Sequence, residues 1–117
     1  MKIGVDVLEA DRLCEVSEAF IQRVYTENEI EYVNGFQQRT EHLAGFFCAK
    51  EAMLKALGSE IKELSLREVE VCHEACGKPY LKLYGTVKDI FDNLKEKNID
   101  LSISHSKTIA TASVILF

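Results

Sequence analysis

Residues 43–58, LAGFFCAKEAMLKALG, constrain the fold more than any other stretch. On a wheel at about 100° per residue, Leu43, Phe46, Phe47, Leu54 and Leu57 form one stripe. Gly45, Ala49, Ala52 and Ala56 form an opposite face of small residues suited to close packing. A helix that is apolar nearly all round is a buried helix. Yet Lys50 sits in the middle of the apolar stripe, and Glu51 lies at the boundary of the two faces, one turn before Lys55. Glu51 and Lys55 suit a surface i, i+4 ion pair worth about 0.3–0.5 kcal/mol. Lys50 suits a stem laid across apolar neighbours with its ammonium in water. The same pair also suits a charged cleft set into a buried scaffold.

The flanking sequence supplies the rest of the architecture. Residues 2–7 alternate, Ile3, Val5 and Val7 to one side and Gly4 and Asp6 to the other, as in a short strand. A helical pattern runs from Asp11 to about Tyr25, with Ser17 as a cap within it. Thr26 to Glu29 (TENE) fits a capping box before a short helical turn that ends near Asn34-Gly35. The long helix is predicted from about Phe36 to Leu57, with Gly58 as its stop. REVEV and YLKLY flank HEACGKP as a hairpin. TVKDIFDNLKEKN places Val87, Ile90, Phe91 and Leu94 on one helical face, with Thr86 as cap and Asn98 as stop. Two closing strands are separated by a turn near His105 to Thr108. This order predicts a single α+β domain over residues 1–117, a mainly antiparallel sheet packed against the long buried helix.

Composition narrows the function. The 117 residues are 47% hydrophobic and 28% charged with a formal charge of -5, which argues against general polyanion coating and gives an expectation of no nucleic-acid partner. No secretory signal and no apolar stretch of about 20 residues is present, so no membrane partner is expected and the cytoplasm is the predicted location. Cys14, Cys48, Cys72 and Cys76 contain no C-x-x-C pair and read as scattered cytosolic thiols; Cys72, His73 and Cys76 lack a fourth metal ligand at a convincing spacing.

Asp6 carries the chemical reading further. An aspartate between Val5 and Val7 is a poor choice for strand propensity, and its burial without a partner would be costly. It suits a solvent-facing strand edge, or a place opposite Glu51 where two carboxylates converge on one hard cation. Two carboxylates that leave positions for water and substrate phosphate are what Mg²⁺ prefers.

With these residues in view, the chain resembles the holo-acyl-carrier-protein synthases, the small bacterial class of 4′-phosphopantetheinyl transferases. The resemblance spans nearly the whole length and rests on IGVDVLEADRL, LAGFFCAKEAMLKALG, GKPYLKL and SISHSKTIATASVI, in that order. It implies transfer of the phosphopantetheine arm of coenzyme A to a serine of an apo acyl carrier protein, with release of 3′,5′-ADP, in the service of fatty-acid or polyketide synthesis. It further implies Asp6 and Glu51 as metal ligands holding Mg²⁺, Glu51 and Lys50 as catalytic residues, and Lys55 as a cation beside the phosphates. Gly77, Lys78 and Pro79, with Ser104, His105 and Ser106, correspond to segments that line the coenzyme A site. The serine proton would go to Glu51 or to a metal-bound water that Glu51 orients, and Lys50 would neutralise or protonate the departing phosphate. The family is typically a homotrimer with interfacial active sites, and the apolar tail ASVILF suits such an interface or an ordinary core strand.

Three departures stand out. Phe46 occupies a position where the family usually has arginine, Glu60 replaces a second glycine after the helix, and CEVSEA precedes Phe20 where relatives are often basic. Arg12 and Arg23 remain as docking cations for an acidic carrier. The expectation is weaker carrier steering, with arginine at position 46 restoring it.

Overall fold

The structure is a computed structural model that describes residues 1–58 and 65–117. β1 (Lys2–Glu9) leads into a 3₁₀ turn (Ala10–Leu13), and two short helices follow, α1 (Glu18–Val24) and α2 (Glu27–Asn34). The long helix α3 (Arg39–Leu57) precedes a second 3₁₀ turn (Leu66–Glu68) and the hairpin of β2 (Val69–His73) and β3 (Pro79–Leu83). α4 (Gly85–Asp92), β4 (Ile99–His105) and β5 (Ile109–Leu116) complete the described chain. The fold is α+β, as expected, with its strands in two antiparallel units: a sheet of order β1-β5-β4 and the β2-β3 hairpin.

The small-residue face of α3 is the reason helix and sheet meet so closely. A Cβ on Gly4 of β1 would lie 1.8 Å from the Ala52 carbonyl oxygen, so only glycine admits the helix backbone there. A Cβ on Gly45 would stand 3.0 Å from Ile103 and 3.6 Å from His105, both on β4. α3 therefore lies across the sheet, its N-terminal half over β4 and its C-terminal half over β1. The other stripe faces away from the sheet, and Leu43, Phe46 and Leu57 in it are buried.

β1 presents its faces in the reverse of the usual order. Gly4 is buried under α3 and Asp6 shares that side, whereas Ile3, Val5 and Val7 stand 58%, 52% and 60% exposed on the other. The register pairs Ile3 with Ile115, which is also exposed, so the apolar face continues onto β5.

Several predicted boundaries move, each for a local reason. The helical pattern of residues 11–25 is two pieces, because Ser17 caps α1 by accepting the Phe20 N–H at 3.1 Å and breaks the run there. The Thr26–Glu29 capping box is present with both of its hydrogen bonds. α3 begins at Arg39 rather than Phe36, whose ring instead packs on Tyr32 at 5.0 Å and His42 at 4.3 Å. Thr86 is not the cap of α4: Gly85 turns the chain at φ 58°, and the Glu68 carboxylate accepts the Val87 N–H at 3.0 Å. That helix ends at Asp92, with Asn93 as its C-cap. Asn98 instead exchanges backbone hydrogen bonds with Phe117 at the end of the sheet.

Candidate active site

Strand alternation and helix packing bring Asp6 and Glu51 together. Asp6 projects from the α3 side of β1, and Glu51 lies at the edge of the helix that crosses that strand. Burial raises the Glu51 carboxyl above the ordinary carboxylate range; the nearby Asp6 charge adds to the rise and Lys55 opposes it. Lys55 does not close the expected pair with Glu51. Its exposed ammonium bonds Asp6 at 2.9 Å and the Val5 carbonyl at 3.1 Å, reaching across from helix to strand. Behind them the Cys48 thiol lies 3.5 Å from the Ala110 carbonyl, and burial pushes it up to about 12. The group is a pair of partly buried carboxylates tempered by one exposed cation, open to solvent on the lysine side.

Lys50 is elsewhere. The expectation that Lys50 and Glu51 face one cleft is corrected: Lys50 is fully buried, 2.7 Å from Glu29 of α2. Its ammonium also donates to the carbonyls of Val69 at 2.5 Å and Leu66 at 3.2 Å. Glu29 is held in turn by the N–H of Thr26 at 2.9 Å and of Val71 at 2.7 Å. Burial drives each partner toward its neutral form, raising Glu29 and lowering Lys50, and these contacts oppose that drift. The outcome is an interior clasp joining α2, α3 and β2. A residue one position along a helix points about 100° away, which separates Lys50 from Glu51.

At the other end of α3 a cavity of about 160 Å³ opens between the hairpin and β4. Gly77, Pro79 and His105 line it, so the two segments assigned to coenzyme A by resemblance meet there. Lys78 is exposed, 4.0 Å from Asp100. Ser104 is exposed on β4, and the Ser106 hydroxyl accepts the N–H groups of Thr108 and Ile109 at 3.3 Å, closing the β4–β5 turn. The cavity wall also holds Tyr32, His42, Phe46 and His73, none of which the sequence assigned to it. His42 and His73 carried no signal for this place, since they come from α3 and the hairpin and only the fold gathers them. From Gly45 at the cavity to Glu51 is about 9 Å along the helix, at about 1.5 Å per residue.

Phe46 corrects a second expectation. It is 3% exposed, against Tyr32 at 5.6 Å and His73 at 5.8 Å between ring centres. It belongs to the cavity wall and not to a docking face, so arginine there would act on what enters the cavity. Arg12 lines a separate surface groove with Val7, Glu9 and Ile109, and the Arg23 guanidinium lies 5.8 Å over the Phe20 ring. Glu60 lies outside the described residues.

Residues 2–112 match the family model of the 4′-phosphopantetheinyl transferase superfamily. A holo-[acyl-carrier-protein] synthase of Thermoanaerobacter sp. strain X514 is 40% identical over 97% of this chain and 84% of its own. One from Fusobacterium nucleatum is 39% identical, over 97% and 96%. Among crystal structures, the holo-(acyl-carrier-protein) synthase of Bacillus anthracis strain Ames, in complex with CoA (3′,5′-ADP), superposes with a TM-score of 0.80 at 39% identity, covering 98% of this chain and 94% of that one. The Neisseria meningitidis synthase gives 0.88 at 26% identity, covering 99% and 97%. The chain belongs to the 4′-phosphopantetheinyl transferase superfamily, and its activity is that of a 4′-phosphopantetheinyl transferase.

Proposed function

We propose that the protein is a holo-[acyl-carrier-protein] synthase that uses coenzyme A as donor, an apo acyl carrier protein as acceptor and Mg²⁺ as its metal. The observation that carries this reading is the convergence of Asp6 and Glu51, with Lys55 beside them, one stretch of helix away from the Gly77–Pro79–His105 cavity. The carboxylate pair fits a hard dication: two oxygen-bearing side chains brought close enough for one to raise the other, with only an exposed lysine to balance them. Among the described residues no group of three or more histidine, cysteine or acidic side chains is gathered. Two acids with substrate oxygens completing the shell is the arrangement Mg²⁺ adopts at phosphates.

In this reaction the serine oxygen of the carrier bonds to the phosphorus next to the pantetheine arm. The bond from that phosphorus to the bridging oxygen breaks, and its electron pair leaves with 3′,5′-ADP. Mg²⁺ bound at Asp6 and Glu51 would supply positive charge to the pyrophosphate oxygens. Glu51, whose raised proton affinity suits a base, takes the serine proton directly or through a water it orients. Lys55, exposed and paired with Asp6 beside the carboxylates, neutralises the departing phosphate, the role the sequence suggested for Lys50. Lys50 acts through the fold: clasped to Glu29, it fixes the helix that carries Glu51.

The exposed Ile3, Val5, Val7, Ile115 and Phe117 support a homotrimer with interfacial sites, since a contiguous apolar sheet face calls for a cover. Light scattering is expected to give three times the chain mass. A monomer at micromolar concentration would remove this part of the proposal. Arg12 and Arg23 are the proposed contacts for an acidic carrier. Four free cysteines suit a reducing, cytoplasmic setting, and no helix among the described residues is long and apolar enough to cross a membrane.

Chromatography of the small-molecule products tests the chemistry. With coenzyme A, apo carrier and Mg²⁺, 3′,5′-ADP should accumulate, and excess EDTA should stop it. Release that persists in EDTA would refute the role assigned to Mg²⁺.

A further inference from the structure

The Lys55 ammonium is held as a hard cation is held, by oxygens. A pair with Glu51 was open to it on its own helix, yet it crosses to β1 and takes two oxygens there, the Asp6 carboxylate at 2.9 Å and the Val5 carbonyl at 3.1 Å. The close approach of α3 to β1 makes this reach possible. A Cβ on Gly4 would lie 1.8 Å from the Ala52 carbonyl oxygen, and the long stem of a lysine one turn further along spans the remaining gap. The Asp6 side chain is 15% exposed and that of Lys55 54%, so the ammonium stands on the solvent side of a largely enclosed carboxylate. Asp6 itself is fixed, because β1 is paired with β5 and the Thr111 hydroxyl donates to the Asp6 carbonyl at 2.9 Å. An ion pair with one partner so exposed holds weakly, and the lysine is the member on a flexible stem.

This inference rests on the transferase reading above, in which Asp6 and Glu51 hold Mg²⁺. A lysine has an ordinary pKa of about 10.4 and is charged at neutral pH, so it does not make room for a metal by losing its proton. An ammonium and a dication compete for the same Asp6 oxygen and repel each other at close range. We propose that Lys55 is a stand-in for the metal: its ammonium balances the Asp6–Glu51 pair in the free protein and gives up Asp6 when a dication is bound. The pyrophosphate of coenzyme A offers the displaced ammonium a new counter-charge. Metal and donor therefore bind with positive coupling, each raising the affinity of the other by the same factor. The exchange keeps two close carboxylates balanced before substrate arrives and reserves tight metal binding for the protein that also carries the donor.

Lys55→Met separates this role from simple contact with the phosphate. The lysine side chain is more than half exposed, so the variant keeps its fold. Binding of Mn²⁺, a paramagnetic substitute for Mg²⁺, is read from the electron paramagnetic resonance of the free ion, with and without coenzyme A. Without coenzyme A, Lys55→Met should bind Mn²⁺ about tenfold more tightly than the parent chain. Asp6→Asn in either chain should remove that binding, which assigns it to this site. Coenzyme A should raise the Mn²⁺ affinity of the parent about tenfold or more, and that of Lys55→Met by less. In the parent chain with isotope-labelled lysine, the Lys55 side-chain NMR signal, identified by its loss in Lys55→Met, should move toward that of solvated lysines as Mg²⁺ alone is added. A lysine that serves only the phosphate predicts equal Mn²⁺ affinity in the two chains. One that only repels the metal from a distance predicts a signal that stays in place at the concentration that fills the site. Either result would overturn the stand-in and leave the transferase standing. Absence of Mn²⁺ binding in both chains with coenzyme A present would overturn it together with the role given to the metal.

Discussion

Replacing Glu51 by alanine should lower turnover of an apo carrier by about 10²–10⁴-fold, the range associated with loss of a positioned base. The chain should remain folded, because Glu51 is only partly buried and its neighbours are not built around it. Removing the carboxylate relieves a like-charge contact with Asp6, so stability should hold or improve slightly. Circular dichroism would verify the fold and steady-state kinetics the loss. Glu51→Gln separates two aspects: it keeps the shape but neither accepts the proton nor offers a charged ligand, and it should be nearly as inactive. A variant within about tenfold of the parent would exclude Glu51 from the chemistry.

Lys50→Met carries the largest expected cost in stability, about 3–5 kcal/mol, because it leaves Glu29 as an uncompensated charge in the interior. Methionine fills the space of the lysine stem, which isolates the charge from the volume. Glu29→Gln in the same chain removes the orphaned charge and keeps one oxygen, which serves either the Thr26 or the Val71 N–H, each of which bonds its own carboxylate oxygen in the parent. The double variant should therefore recover part of the loss, less the cost of the one N–H left without its acceptor, and urea unfolding of the four chains measures the coupling. Its activity, measured where it is fully folded, should lie much nearer the parent than that of Glu51→Ala. A Lys50→Met chain of normal stability but no activity would contradict the interior clasp and return Lys50 to the reaction.

The contrast between these neighbours indicates what the sequence could reveal. The wheel identified α3 as buried all round and put Lys50 on its apolar stripe, which follows from periodicity alone. It could not supply the partner, because Glu29 lies in another helix and was already accounted for as half of a capping box. One of its oxygens meets both the Thr26 N–H and the Lys50 ammonium, and the other the Val71 N–H. Alternation likewise separated Ile3, Val5 and Val7 from Gly4 and Asp6, yet apolar residues normally turn inward. Here the close approach of Ala52 requires Gly4 inside, and that choice carries Asp6 to Glu51. The helix ends were misread where tertiary groups took over capping, as Glu68 does for α4. The cavity was legible only in Gly77, Pro79 and His105, through a resemblance; His42, His73 and Tyr32 reach it by the crossing of α3 over β4 and the packing of the hairpin.

The central claim is that the carboxylates at the crossing of β1 and α3 transfer phosphopantetheine to a carrier protein. Intact-mass analysis of an apo acyl carrier protein incubated with this protein, coenzyme A and Mg²⁺ tests it most directly, alongside Glu51→Ala and an EDTA control. A mass gain of one phosphopantetheine arm, absent in both controls, is the expected result. The same gain with Glu51→Ala, or no gain with any carrier while coenzyme A binds normally, would contradict it.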